Sequence, residues 1–234
     1  SRRYPKQAGR FLNKLAAKSL GDERMVADHF TPGYDVWDQR VCVAPDGDLF
    51  AAIKSGKAEV VTDHIDTFVP EGIRLRSGRV LEADIIVTAT GLRLQSNGGV
   101  VPTVDAEPVA LNEQYVLLGA MLTGLPNFAT AVGYINASWT LRADLTARLV
   151  CKVLRWMEEH DYALVVPRPH SEAHPEPLLD LQAGYIRRAA ADLPRQGAHA
   201  PWRMRQNYVL DTATTLRTDL GKYLRGTRLP VTTR

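Results

Sequence analysis

The chain has 234 residues, enough to bury a sizeable core, and its 45% hydrophobic and 24% charged content is that of an ordinary soluble globular protein. A net charge of +3 argues against nucleic acid or another strong polyanion as a partner. Two distant cysteines, Cys42 and Cys151, make neither a disulfide framework nor a metal cluster and fit a reducing, cytoplasmic setting.

In chain order, residues 1–28 are basic and predict helix. Phe11, Leu12, Leu15, Ala16 and Leu20 recur at helical spacing, and Gly21 ends the run. The Lys and Arg residues read as a solvated face, with a weak membrane-surface association or nucleic acid as the functional alternative, the small whole-chain charge favouring the solvated face. A Pro- and Tyr-rich loop follows over residues 29–45. Residues 46–56 predict a short helix, with Asp46 or Asp48 as cap and Gly56 at the exit. Residues 57–63 and 64–69 predict strands, Pro70-Glu71-Gly72 a turn, and residues 73–76 a half-solvated strand that returns through Ser77-Gly78. The meander leads into Ala83-Asp-Ile-Ile-Val-Thr-Ala-Thr-Gly91, which predicts a buried strand ending in small residues.

Beyond Gly91 the sequence predicts irregular structure to Pro108, then buried strands over 115–122 and 128–132. A long helix follows over 138–160, with Leu141, Leu145, Leu149, Val153, Leu154 and Met157 on one stripe and Asn136 or Ser138 as cap. Residues 163–178 read as a connecting loop. Short helices and loops fill 179–234, and the last ten residues read as mobile. No formal charge occurs from Tyr115 to Leu141, but the interior glycines, Pro126 and Asn127 argue for strands and a turn rather than a transmembrane helix. His170 and His174 flank Glu172 in a Pro-rich loop, and no metal site is expected. No Gly-x-Gly-x-x-Gly occurs anywhere.

Six stretches together resemble one family. They are residues 29–40, closing on Trp37-Asp38-Gln39-Arg40, residues 45–50, residues 83–91, Gly124-Leu-Pro-Asn127, residues 132–141, and Pro201-Trp-Arg-Met-Arg-Gln-Asn-Tyr208. In this order they resemble the class B flavin monooxygenases that include Baeyer–Villiger monooxygenases, of the ethionamide-activating type. The implied fold class is α/β, the C-terminal half of a two-dinucleotide-binding-domain flavoprotein with a small β-meander and a helical C-terminal cap. Residues 1–90 would complete an NADP-binding domain, and residues 91–234 an FAD-binding domain with its substrate-side cap. In the family the Gly-rich loops for FAD and NADP lie upstream of the part seen here, so the chain reads as a fragment; its start at Ser1 agrees with that.

The resemblance implies FAD and NADPH as cofactors and O2 with a small ketone or organosulfur compound as substrates. One oxygen atom would be inserted beside a carbonyl or added to sulfur through a C4a-peroxyflavin. Arg40 matches the catalytic arginine, whose permanently charged guanidinium offers two donors to developing oxygen charge; the plain alternative is a surface arginine paired with Asp38. Trp37 and Gln39 would touch nicotinamide or position Arg40, or else pack the loop. Thr90 and Gly91 would approach cofactor where the chain crosses between domains. Asn136, Ala137 and Ser138 would face the flavin ring with helix-start amides, or serve as a simple cap. Trp202 would reach nicotinamide and substrate, or pack as a core aromatic. The alternatives for the chain are an N- or S-oxygenating flavin monooxygenase without ketone activity, and a noncatalytic remnant or binding module.

Overall fold

The computed structural model describes residues 4–36, 38, 39, 41, 45–168 and 174–228. The chain divides into two compact units, Ser1–Leu92 and Arg93–Arg234.

In the first unit, α1 (Pro5–Leu20) begins with Pro5 in the first turn, where its missing N–H costs nothing. It ends at Gly21, whose left-handed φ of 76° lets its N–H reach the Ala17 carbonyl at 2.7 Å. Asp22 then caps α2 (Glu23–His29) by accepting from the Met25 amide at 2.9 Å. α3 (Asp48–Lys54) packs on α1, as α2 does. Its cap position is Gly47, and neither Asp46 nor Asp48 supplies a side-chain cap. Phe30 and Phe50 meet edge to face at 5.7 Å.

The meander forms as the alternation implies: β1 (Ile65–Val69), β2 (Gly72–Leu75) and β3 (Val80–Glu82) pair antiparallel in sequence order. Gly72 closes the β1–β2 turn opposite Val69. A Cβ there would meet the Leu81 carbonyl oxygen at 2.1 Å, so only glycine lets β3 approach. Residues 57–63, expected as a strand, form none. The larger departure is at residues 83–91. They form no strand, and Ile85 and Val87 are 82% and 84% exposed. An apolar run becomes a core strand only when neighbouring strands take its amides and layers cover its faces. Among the described residues only the Ala83 amide finds a backbone partner, the Glu71 carbonyl at 3.0 Å, and Ile85 and Val87 stay uncovered.

The second unit opens with β4 (Thr103–Val104) and β5 (Glu107–Pro108), paired antiparallel. The expected single strand over 115–122 is a tight hairpin, β6 (Val116–Leu117) and β7 (Met121–Leu122). Leu118 and Gly119 sit at φ 51° and 66°, and the Ala120 amide closes on the Leu117 carbonyl. Two successive positive φ values make the mirror-image turn that suits strand twist. Residues 116–122 are still buried throughout, as their apolar sequence requires. Residues 128–132 make only a bridge from Ala129 to Met121.

The Leu-Pro-Asn segment ends in a side chain that imitates a strand. Asn127 takes a left-handed φ of 53°, its carboxamide nitrogen donates to the Ala163 carbonyl, and its carboxamide oxygen accepts from the Val165 amide. This pins the turn to β8 (Leu164–Pro167). β9 (Glu176–Pro177) follows, then α5 (Gly184–Ala189) and β10 (Arg195–Gln196), which pairs with β9.

The long helix is α4 (Trp139–Glu159), capped by Ser138. Its buried face is Arg142, Leu145, Thr146, Leu149 and Val153. Leu154, expected on that stripe, is 57% exposed. α6 (Tyr208–Arg217) packs against α4, and α7 (Leu220–Tyr223) leads into β11 (Leu224–Thr227), the antiparallel partner of β8. Lys152 on α4 donates to the carbonyls of Thr215, Leu216 and Thr218 at 3.1, 2.9 and 2.7 Å. It thereby satisfies the carbonyl end of α6. Leu117, Met121, Leu149, Val153, Val165, Trp202 and Leu224 belong to one core cluster. No described helix is long and apolar enough to cross a membrane. Cys42, His170, Glu172 and the last six residues lie outside the described residues.

Leu149→Ala should cost about 2–5 kcal/mol in urea unfolding of the chain, as buried leucine truncations do. Leu154→Ala, five residues on along the same helix, should stay within roughly 0.5 kcal/mol.

Candidate functional site

The turn ahead of α4 is the most elaborately built piece of backbone in the second unit. Gly133, Tyr134 and Ile135 are buried, whereas residues 136–140 are exposed. Gly133 lies beneath the Trp139 indole, and a Cβ there would meet the ring at 2.1 Å. The chain therefore folds tightly back under its own helix start. Ser138 caps that start, its hydroxyl 2.7 Å from the Thr140 hydroxyl and accepting from the Thr140 amide. The first amides of a helix have no partner within it. Asn136, Ala137 and Ser138 present this end of a 21-residue helix on the surface, where its dipole favours negative charge.

The loop before α6 holds the turn. The Ile135 amide donates to the Gln206 carboxamide oxygen at 3.0 Å, and the Asn136 carboxamide donates to the Gln206 main-chain carbonyl at 3.1 Å. Gln206 sits at φ 55°, a region non-glycine residues seldom occupy. Such backbone costs about 1–3 kcal/mol and persists where surroundings dictate it. Asn207 caps α6 by accepting from the Leu210 amide at 3.1 Å, and Asp211 accepts from the Arg205 amide at 3.0 Å.

Beneath the turn lies a buried polar cluster. Tyr134, Arg142 and Asp211 are 1%, 2% and 4% exposed. The Arg142 guanidinium lies 5.9 Å from the centre of the Tyr134 ring and donates to the Leu118 carbonyl. The Tyr134 phenol faces both Arg142 and the Asp211 carboxylate. Gly119 packs against Arg142 and Met204 so closely that any Cβ would strike both. A buried cation is tolerated only with such partners, here a carbonyl and an aromatic face. Burial pushes the Tyr134 pKa up to about 12; the Asp211 charge adds to the rise and Arg142 opposes it.

In the first unit, Gln39 makes an isolated bridge with Val36 and lines a cleft of about 540 Å³ between α1 and residues 30–36, 39 and 41. Lys6, Arg10, Asn13 and Tyr34 also line it. Trp37 and Arg40 lie outside the described residues. Thr90 and Gly91 are exposed, Gly91 at φ 103°. Trp202 is 4% exposed and packs edge to face on Tyr223 at 6.4 Å. Among the described residues no three His, Cys, Asp or Glu side chains converge on a metal-sized site.

The structure thus gathers Asn136, Ala137 and Ser138 into one turn. It adds Tyr134, Arg142, Asp211 and Gln206, which sequence reasoning left out. Arg142 had a usable signal, since it falls in helical register with Leu145, Leu149 and Val153. An arginine in a helix reads as solvated, so that register goes unnoticed.

The fold is that of part of a flavin monooxygenase with two dinucleotide-binding domains. A cyclohexanone monooxygenase mutant from Rhodococcus sp. Phi1, solved bound to NADP+, matches 98% of this chain and 45% of its own, with a TM-score of 0.63 at 14% identity. The FAD-bound form of OTEMO matches 72% of this chain and 33% of its own, with a TM-score of 0.55 at 21% identity. By sequence the chain is homologous to the FAD-containing monooxygenases. It is 46% identical over 210 residues to FAD-containing monooxygenase EthA of Mycobacterium tuberculosis (strain H37Rv), covering 89% of this chain and 43% of that protein. It is 45% identical over 212 residues to EthA of Mycolicibacterium smegmatis, covering 90% and 43%. The chain therefore spans about two-fifths of the length of the curated relatives it matches. No family model matches it.

The raised Tyr134 pKa carries a sign. Folded Tyr134 keeps its proton to about pH 12, whereas an unfolded tyrosine ionises near pH 10. Its contribution is full below about pH 10 and is lost as pH rises toward 12. Thermal melts across that range should fall less steeply for Tyr134→Phe than for the unmodified chain. Parallel slopes would mean the phenol is not held neutral.

Proposed function

We propose that the chain is the C-terminal part of an FAD- and NADPH-dependent monooxygenase of a reducing cytosol. Its first unit would complete an NADP-binding domain and its second an FAD-binding domain. The reaction would place one oxygen atom from O2 beside the carbonyl of a small ketone, giving an ester, or on the sulfur of a thioether or thioamide. The observation that carries this reading is 46% identity to an FAD-containing monooxygenase over 89% of the chain.

The residues present fit part of a flavin site. Bound FAD would supply the electron transfer and oxygen activation. The exposed helix start at Asn136, Ala137 and Ser138 offers backbone amides and a favourable dipole to the electron-rich edge of a reduced flavin ring. Nothing in the chain offers the Gly-rich loop that would cradle either pyrophosphate, so those contacts are assigned to sequence outside it. Gln39, on the wall of the α1 cleft, would help position Arg40 and the nicotinamide, with Trp37 beside it. Arg40 would hold its charge beside the oxygen being transferred. Thr90 and Gly91 would meet cofactor. The exposed residues 83–91 also fit this reading, since an added sheet would give them the cover their apolar pattern requires. Trp202, packed in the core, would support the substrate side rather than present its face to it.

The test is visible absorbance of the purified protein. The 234-residue chain should be colourless, and the chain expressed with the gene sequence upstream of it should be yellow and oxidise NADPH when given a ketone. Arg40→Ala should then lower turnover about a hundred-fold or more with FAD content unchanged. A completed protein without flavin would leave the binding-module reading in its place.

A membrane-surface contact rests on α1, which exposes Phe11, Leu12 and Leu15 near Lys14 and Lys18. Liposome flotation that disappears on neutralising Lys6 and Arg10 would support it; a completed protein that stays at the bottom of the gradient would dismiss it.

A further inference from the structure

The turn at residues 135–138 is not held by α4 alone. Two of its groups, the Ile135 amide and the Asn136 carboxamide, are bound by one residue 71 and 70 positions away, Gln206. Gln206 uses its side-chain oxygen for the first and its main-chain oxygen for the second. Both contacts depend on its left-handed backbone, φ 55°, which a glutamine adopts only under constraint. The constraint is visible on both sides. Asp211 accepts from the amide of Arg205, and Asn207 is committed to capping α6. Asp211 in turn faces Tyr134, the residue just before Ile135. The loop ahead of α6 and the turn ahead of α4 therefore form a closed ring of contacts: Tyr134 to Asp211, Asp211 to Arg205, Gln206 to Ile135 and Asn136. An outlier backbone held in place from several directions is a mark of a functional position.

We propose that Gln206 is a positioning residue for the flavin, acting through the turn it grips. This rests on the reading above, in which the start of α4 meets the flavin ring. Gln206 touches no cofactor. It fixes the direction in which the amides of Ala137 and Ser138 point, and so the complementarity of the helix start to charge on the reduced ring. An amide aimed about an ångström astray loses most of its stabilising effect on developing charge.

The experiment uses the completed, FAD-loaded protein and three variants. Gln206→Met keeps the size of the side chain and removes the acceptor for Ile135. Gln206→Glu restores an acceptor at the same reach. Gln206→Gly removes the side chain but relieves the left-handed backbone, so this variant folds without strain. FAD dissociation constants, the flavin absorbance maxima and melting temperatures are measured for each. Gln206→Met and Gln206→Gly should weaken FAD binding about tenfold, the worth of one lost hydrogen bond. They should also shift the flavin bands, and Gln206→Glu should return both toward the unmodified values. Gln206→Gly should do this without a matching fall in melting temperature, which a purely structural role would not produce. Unchanged FAD affinity and spectrum in Gln206→Gly would overturn the inference while leaving the flavin reading intact. Failure of the unmodified completed protein to bind FAD would overturn both.

Discussion

The second unit depends on the burial of one side of α4. Leu149 and Val153 put an apolar stripe against the hairpin of β6 and β7 and against β8. Three features follow from that contact. Asn127 must pin its turn to β8 for the strand to lie under the helix. Lys152 must leave the same helix toward α6, where it satisfies three carbonyls at once. Arg142, one turn from the helix start, must go into the interior, because its position belongs to the buried face.

That last consequence connects packing to chemistry. A guanidinium inside a protein demands partners. Arg142 finds the Leu118 carbonyl and the Tyr134 ring, and the Tyr134 phenol in turn faces Asp211. The cost of burying the charge is offset by fixing three segments that are distant in sequence: the hairpin turn at Leu118, the turn before α4 and the start of α6. The exposed residues 136–138 thus stand on a rigid base. Under the proposed reading, in which this turn meets the flavin ring, such a base would keep its dipoles already aimed.

The first unit shows the reverse situation. Residues 83–91 have the composition of a core strand and lie exposed. The meander beside them forms fully, because β1, β2 and β3 are local neighbours and need no others. A parallel strand differs, since its partners come from distant sequence. The contrast agrees with a chain that spans about two-fifths of its relatives' length.

The sequence by itself determined what depends on near neighbours. The end of α1 at Gly21, the Ser138 cap, the meander turns at Gly72 and Gly78 and the span of α4 were legible, since each is decided within a few residues. The turn of Asn136, Ala137 and Ser138 was legible as a helix start, and its relation to flavin only through resemblance. Tertiary structure alone decided that Leu118 and Gly119 fold one apolar run into a hairpin, and that Leu154 faces out while Arg142 faces in. It alone placed Gln206 under Ile135 and Asn136. These outcomes depend on which surfaces meet, and a linear pattern records the polarity of each residue but not the identity of what packs against it.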